Sequence, residues 1–136
     1  MDKPKNYNEN YFDIIDTPQK AYFLGLLYAD GYISHTTRTS GSICYIMSIA
    51  LQEDDKDILE KFRIEMERPN NLLFTKGNGR IKAKYCFTVS GEKIHHDLEK
   101  HGCVERKSLI LQFPTTIPEE LMSHFIRGYF DGDGCI

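Results

Sequence analysis

The sequence predicts an α+β domain in which an antiparallel sheet carries helices on one face and leaves the other face open. Three observations predict it. Residues 43–52 and 80–90 alternate apolar and polar side chains with the period of a strand. The stretches between and after them carry apolar residues at helical spacing. Finally, an apolar helical run over residues 21–31 ends in Asp30-Gly31, and it returns over residues 124–134 as Asp131-Gly132-Asp133-Gly134. A repeat of this kind outranks any single motif as a guide to architecture.

Residues 1–16 are rich in Asn and Tyr and have little periodicity, so they read as a partly ordered arm. Tyr11-Phe12 and Ile14-Ile15 are expected to lie on the domain edge. Thr17-Pro18 then offers an N-cap and a proline for the first helical turn. The helix stops at Gly31. Gly25, in its middle, has no side chain and permits close approach of a second helix. After Gly31 the period shortens to that of a strand, and Gly41-Ser42 marks a turn. Ile43, Tyr45, Met47, Ile49 and Leu51 face one way, with Ser48 and Gln52 facing the other.

Glu53 to Asp57 is an acidic helix start. Ile58, Leu59, Phe62 and Met66 form its apolar stripe, and Pro69-Asn70-Asn71 ends it. Residues 72–75 read as a strand, Gly77-Asn78-Gly79 as a turn, and residues 80–90 as the return strand. In that strand Ile81, Ala83, Tyr85, Phe87 and Val89 face the core. Arg80, Lys82, Lys84 and Thr88 face outward. Residues 92–101 read as a helix with Ile94 and Leu98 inward. His95, His96, His101 and Cys103 read as parts of a solvated helix and its end rather than a metal cluster. Pro118-Glu119-Glu120 opens the second copy of the glycine-bearing helix, with Gly128 in the place of Gly25. The expected divisions are an arm (1–16), a first repeat (17–116) and a second helix (117–136).

The chain has 136 residues, 40% apolar and 12% aromatic, which suits one soluble domain. No 18-residue apolar run is present for a membrane span. The first residues lack the apolar core of a signal peptide, so an intracellular setting, cytoplasmic, nucleoid or organellar, is expected. Cys44, Cys86, Cys103 and Cys135 lack metal-binding or disulfide spacing and read as reduced thiols. The net charge of −3 argues neither for nor against a polyanion partner until charge is located. Between Arg68 and Gly91 there is no acidic residue, but there are basic ones at Arg68, Lys76, Arg80, Lys82 and Lys84. Two paired helices of this pattern would bring Asp30 and Asp133 to one end. Converging carboxylates repel unless divalent cations lie between them and a polyanion, which is the logic of a metal-dependent phosphodiesterase.

The two copies, Phe23 to Gly31 and Ile126 to Gly134, resemble the nine-residue signature of the LAGLIDADG homing endonucleases. The resemblance covers about residues 17–136. It implies an αββαββα repeat with a saddle-shaped antiparallel sheet lying in the DNA major groove, followed by the signature helix of a second, incomplete repeat. The implied function is a site-specific double-stranded DNA endonuclease. Asp30 and Asp133 would bind Mg²⁺ or Mn²⁺ together with the carbonyls of Ala29 and Gly132. Gln52 and Lys107 would assist catalysis, and Gly25 and Gly128 would form the helix interface. Ser34, Thr36, Arg38, Ser48, Lys76, Arg80, Lys82, Lys84 and Thr88 would contact DNA.

Tyr28 stands where the family often has Asp. The sequence ends two residues after the second motif, so it reads as a truncated or split enzyme. Such a chain would cut weakly alone and would pair with a complementary C-terminal half or with a second copy. The alternatives on this scaffold are a non-cleaving DNA-binding regulator, an RNA-splicing maturase, or a structural fragment that recruits a partner half.

Overall fold

In the computed structural model, residues 6–103 and 114–133 are described, Asp133 by its backbone alone. The order is α1 (Pro18–Asp30), β1 (Gly31–Thr37), β2 (Ile43–Gln52), α2 (Lys56–Glu65), β3 (Leu73–Thr75), β4 (Lys84–Ser90), α3 (Glu92–Lys100) and α4 (Met122–Asp133). The four strands form one antiparallel sheet in the order β1-β2-β4-β3. Among the described residues, no helix is long and apolar enough to cross a membrane.

The start signals of α1 act as their chemistry dictates, whereas Gly31 leaves that helix in an extended conformation (φ −72°, ψ 154°) and Pro118 lies ahead of a 3₁₀ turn instead of in the first turn of α4. The Lys20 amide donates to Thr17 Oγ1 at 3.2 Å, and Pro18 occupies the first turn of α1. A single 3₁₀ turn, Glu119–Leu121, precedes α4. A similar turn, Glu53–Asp55, leads into α2. That helix ends at Glu65, before the Pro69 stop read in the sequence. Glu67 there takes a left-handed backbone with φ of 59°.

The core lies between the sheet and the helices. Ile33, Met47, Ile49, Phe87 and Val89 project from the sheet onto Leu24, Leu27, Leu59, Phe62, Ile94 and Leu98, all buried. Phe23 stacks on Phe62 with ring centres 4.4 Å apart, so the aromatic residues of α1 pack, as their spacing implies.

Three expectations need correction. Residues 6–16, read as a partly ordered arm packing on the domain edge, reach further in: Tyr7, Tyr11, Phe12 and Ile15 are buried in the core, whereas Ile14 is exposed. Their Asn and Tyr content disguised an apolar anchor, in which the Tyr7 hydroxyl donates to Ser90 O at 2.7 Å. Burial, with the Glu9 carboxylate nearby, pushes that hydroxyl up to about 12.

The return strand begins at Lys84, not at residue 80. Asn78 and Ile81 exchange backbone hydrogen bonds of 2.8 and 3.0 Å, closing a local turn that withdraws residues 78–81 from the sheet. Ile81 is therefore exposed instead of inward.

His95, His101 and Cys103 are buried rather than solvated. His101 Nδ1 lies 2.6 Å from Thr116 Oγ1, and Nε2 lies 2.7 Å from Phe12 O. The Phe12 carbonyl can only accept, so Nε2 carries a proton and donates to it. His101 thus ties the N-terminal segment to the approach to α4. His96 is exposed, and no group of three or more metal-type ligands forms among the described residues.

Candidate metal centre and nucleic-acid interface

The pairing of α1 with α4 fixes the candidate centre. Gly25 and Gly128 lie where the helices cross. A Cβ on Gly25 would overlap the Phe125 carbonyl and come within 2.9 Å of Tyr129 N. A Cβ on Gly128 would overlap the Tyr22 carbonyl and come within 2.8 Å of its carbon. Only glycine allows these two backbones to touch. Toward the C-terminal ends, a Cβ on Gly132 would stand 2.9 Å from Ala29 Cβ and 3.1 Å from Leu26 O. The last turns of both helices therefore meet side by side.

Side chains hold this pairing from both flanks. The Tyr22 hydroxyl donates to Asp131 Oδ2 at 2.6 Å, and Arg127 lies 4.7 Å from the Tyr22 ring centre. Burial and the Asp131 carboxylate push the Tyr22 hydroxyl far up, so it stays a donor at any ordinary pH. On the other flank the Tyr28 ring meets Phe125 edge-on at 4.9 Å, and its hydroxyl donates to His101 O at 2.6 Å.

Asp30 is the last residue of α1 and is exposed. The next amide, Gly31 N–H, donates to Leu27 O as the chain turns into β1. Ala29 and Gly132 each precede an acid, so their contact brings the backbone positions of Asp30 and Asp133 to the same end of the helix pair. The Asp133 side chain and Lys107 lie outside the described residues. Two helix C-termini side by side place two negative dipole ends together. Carboxylates and helix-end carbonyls are hard oxygen donors of the kind that Mg²⁺ and Mn²⁺ prefer. The donor chemistry fits such a cation.

The same turn sets the sheet in place. Gly31 starts β1 opposite Ile49, so the Gln52 end of β2 lies on the side of the helix ends. Even-numbered residues of β1, β2 and β4 form the open face. Tyr32 opposes Ser48, and Ser48 opposes Thr88, with the two hydroxyl oxygens 2.9 Å apart. Ser34 opposes Ile46, and Thr36 opposes Cys44. Gln52 opposes Lys84, which opposes Thr75.

Of the residues read from the sequence as contacts, Ser34, Thr36, Ser48, Lys84 and Thr88 lie on this face. Arg38 follows the end of β1, while Lys76, Arg80 and Lys82 lie in the loop between β3 and β4. They border the sheet instead of standing on it. Sequence reasoning passed over Tyr32, Ala50 and Cys86, although their even numbers placed them on this face. It had no route to Leu73 and Thr75, because pairing of Leu73 with Cys86 gives β3 the odd parity.

No protein-family model matches the chain. Over 98% of its length it is 24% identical to a stretch of the probable translation initiation factor IF-2 of Methanocaldococcus jannaschii, spanning only 11% of that protein. Among solved structures it resembles mesophilic variants of the homing endonuclease I-DmoI, with a TM-score of 0.54 and 18% identity. That match covers 85% of this chain and 61% of the other. I-DmoI in complex with DNA and calcium gives a TM-score of 0.50 at 18% identity, over 90% of this chain and 57% of that one. An I-DmoI variant with its nicked target DNA and manganese gives 0.52 at 18% identity, over 92% and 62%. The chain thus spans about three fifths of these nucleases and has the fold of the LAGLIDADG homing endonucleases.

Proposed function

We propose that the chain is the DNA-binding and metal-binding half of a site-specific double-stranded DNA endonuclease. The observation that carries this reading is the meeting of Ala29 with Gly132 at the ends of two glycine-packed helices, at one end of an open sheet face. A solved nuclease of the same fold holds DNA and a divalent ion, which supports the same partner and the same class of cofactor here.

In this reading Asp30 and Asp133, with the carbonyls of Ala29 and Gly132, hold Mg²⁺ or Mn²⁺. A cation bound there lowers the cost of deprotonating water and offsets charge on the scissile phosphate. Gln52, exposed at the near end of β2, orients water or the sugar–phosphate backbone. Lys107 clamps a phosphate. Arg38, Lys76, Arg80 and Lys82 meet phosphates at the rim, while Ser34, Thr36, Ser48, Lys84 and Thr88 meet base edges. The free side of α4 takes a complementary half or a second copy of the chain. The setting is intracellular, and the coding sequence belongs to an intron, an intein or a free-standing gene.

The test is a nicking assay on a duplex selected from a random library. With Mg²⁺, weak nicking is expected from the chain, and Asp30→Asn abolishes it while leaving DNA retention in calcium unchanged. Equal nicking by Asp30→Asn contradicts the metal assignment. Firm binding with no metal-dependent nicking by the intact chain favours the non-cleaving regulator instead. Failure to retain any duplex contradicts both readings.

A further inference from the structure

The open face is chemically banded, and the bands differ in what they can read. Directly opposed residues in an antiparallel ladder share a face. Next to the hydroxyl row Tyr32–Ser48–Thr88 comes a row made of Ala50, Cys86 and Leu73. Beyond it lies Gln52–Lys84–Thr75. Among the described residues of the four strands, Lys84 is the only charged one projecting onto this face, and none of them places a carboxylate there. Leu73 is 69% exposed and Tyr32 62%, so apolar surface stands open to water on the two edge strands of a face with a basic border.

In the major groove, guanine is read by Arg or Lys, adenine by Asn or Gln, and cytosine by a carboxylate. Thymine alone offers a methyl group, which is read by apolar side chains. A methyl, a thiol and an isobutyl group give the row Ala50–Cys86–Leu73 little with which to bind a guanine or cytosine edge. They suit the thymine methyl. Rows on one face are two residues apart, roughly 6.6 Å, or about two base-pair steps of the duplex.

We infer that the row Ala50–Cys86–Leu73 reads a step of about two A·T pairs through their thymine 5-methyl groups, flanked on the Lys84 side by pairs read through hydrogen bonds. This rests on the DNA-binding reading above and names the class of target that the face prefers. Every other row of this face in the four strands carries a hydroxyl, an amide or a charge, and Ala50–Cys86–Leu73 carries none, which is what sets the preference.

The experiment selects duplexes from a random library with the whole chain in calcium, then measures affinity after replacing single thymines by deoxyuridine. The replacement removes only the methyl. The selected duplexes are expected to share A·T pairs at one fixed step, and each deoxyuridine there weakens binding about fourfold, the value of one buried methyl. Elsewhere in the site the replacement has little effect. Leu73→Ser, at an exposed position, abolishes the discrimination at one of these thymines, so that this variant binds the thymine and deoxyuridine duplexes equally there. Selected duplexes without a fixed thymine, or equal affinity for thymine and deoxyuridine, overturn the inference and leave DNA binding intact. If no duplex is retained, the DNA-binding reading falls with it. A Leu73→Ser variant that alters self-association of the free protein but not the response to deoxyuridine assigns the row to a protein contact and overturns the inference.

Discussion

Gly25 and Gly128 each occupy the one place where the opposing helix backbone leaves no room for a methyl group. On Gly25 the obstruction is the Phe125 carbonyl, and on Gly128 it is the Tyr22 carbonyl. The relation is reciprocal, so the crossing point of α1 and α4 is fixed from both sides. Everything proposed for the helix ends depends on it.

Replacing either glycine by alanine forces the helices apart. Alanine would gain about 1 kcal/mol of helix propensity in a free helix. Backbone overlap in a packed core costs more, about 1–3 kcal/mol or beyond. Gly25→Ala and Gly128→Ala are each expected to destabilise the fold by a net ~2 kcal/mol, measured by urea unfolding. The double variant is expected to lose less than the sum, because the first substitution already opens the crossing.

His101 joins three parts of the chain through a buried hydrogen bond to Phe12 O, a half-buried one with Thr116 Oγ1 and its own carbonyl, which accepts from Tyr28. His101→Ala leaves a cavity and strands the Phe12 carbonyl. The expected loss is about 3 kcal/mol in unfolding experiments, from the cavity and the unmet polar groups together. Thr116→Val removes one hydrogen bond only and is expected to cost about 1 kcal/mol.

The basic border and the sheet face differ in how they respond to salt. Lys76→Ala, Arg80→Ala and Lys82→Ala are each expected to lower the salt dependence of DNA affinity by about one unit of log–log slope, with equal weakening across sequences. Thr88→Val is expected to leave that slope unchanged and to alter the preferred sequence. Fluorescence anisotropy over a range of salt concentrations checks both. A slope unchanged in all three border variants removes them from the phosphate contacts.

Much of this was legible in the chain itself. The glycine-bearing helices, their caps at Thr17 and Pro18, and the face parity of β2 and β4 follow from local chemistry and from side-chain period. What was not legible depended on partners distant in sequence. Tyr11 and Phe12 carry no periodic signal, yet they fill a gap beside Phe62, with which their rings lie 6.4 and 6.1 Å apart. His101 and Cys103 look like surface residues until residues 12 and 116 arrive beside them. Arg80 and Lys82 keep strand alternation in the sequence, but the Asn78–Ile81 turn takes precedence over it. The parity of Leu73 was set by β4, not by its own neighbours.

The most direct measurement is manganese binding to the chain on its selected duplex, followed by electron paramagnetic resonance. Binding is expected in the wild type and is expected to be weakened at least tenfold by Asp30→Asn and equally by Asp133→Asn, with the helical signal in circular dichroism unchanged. Manganese binding that survives either substitution at wild-type strength would contradict a cation held between the two helix ends.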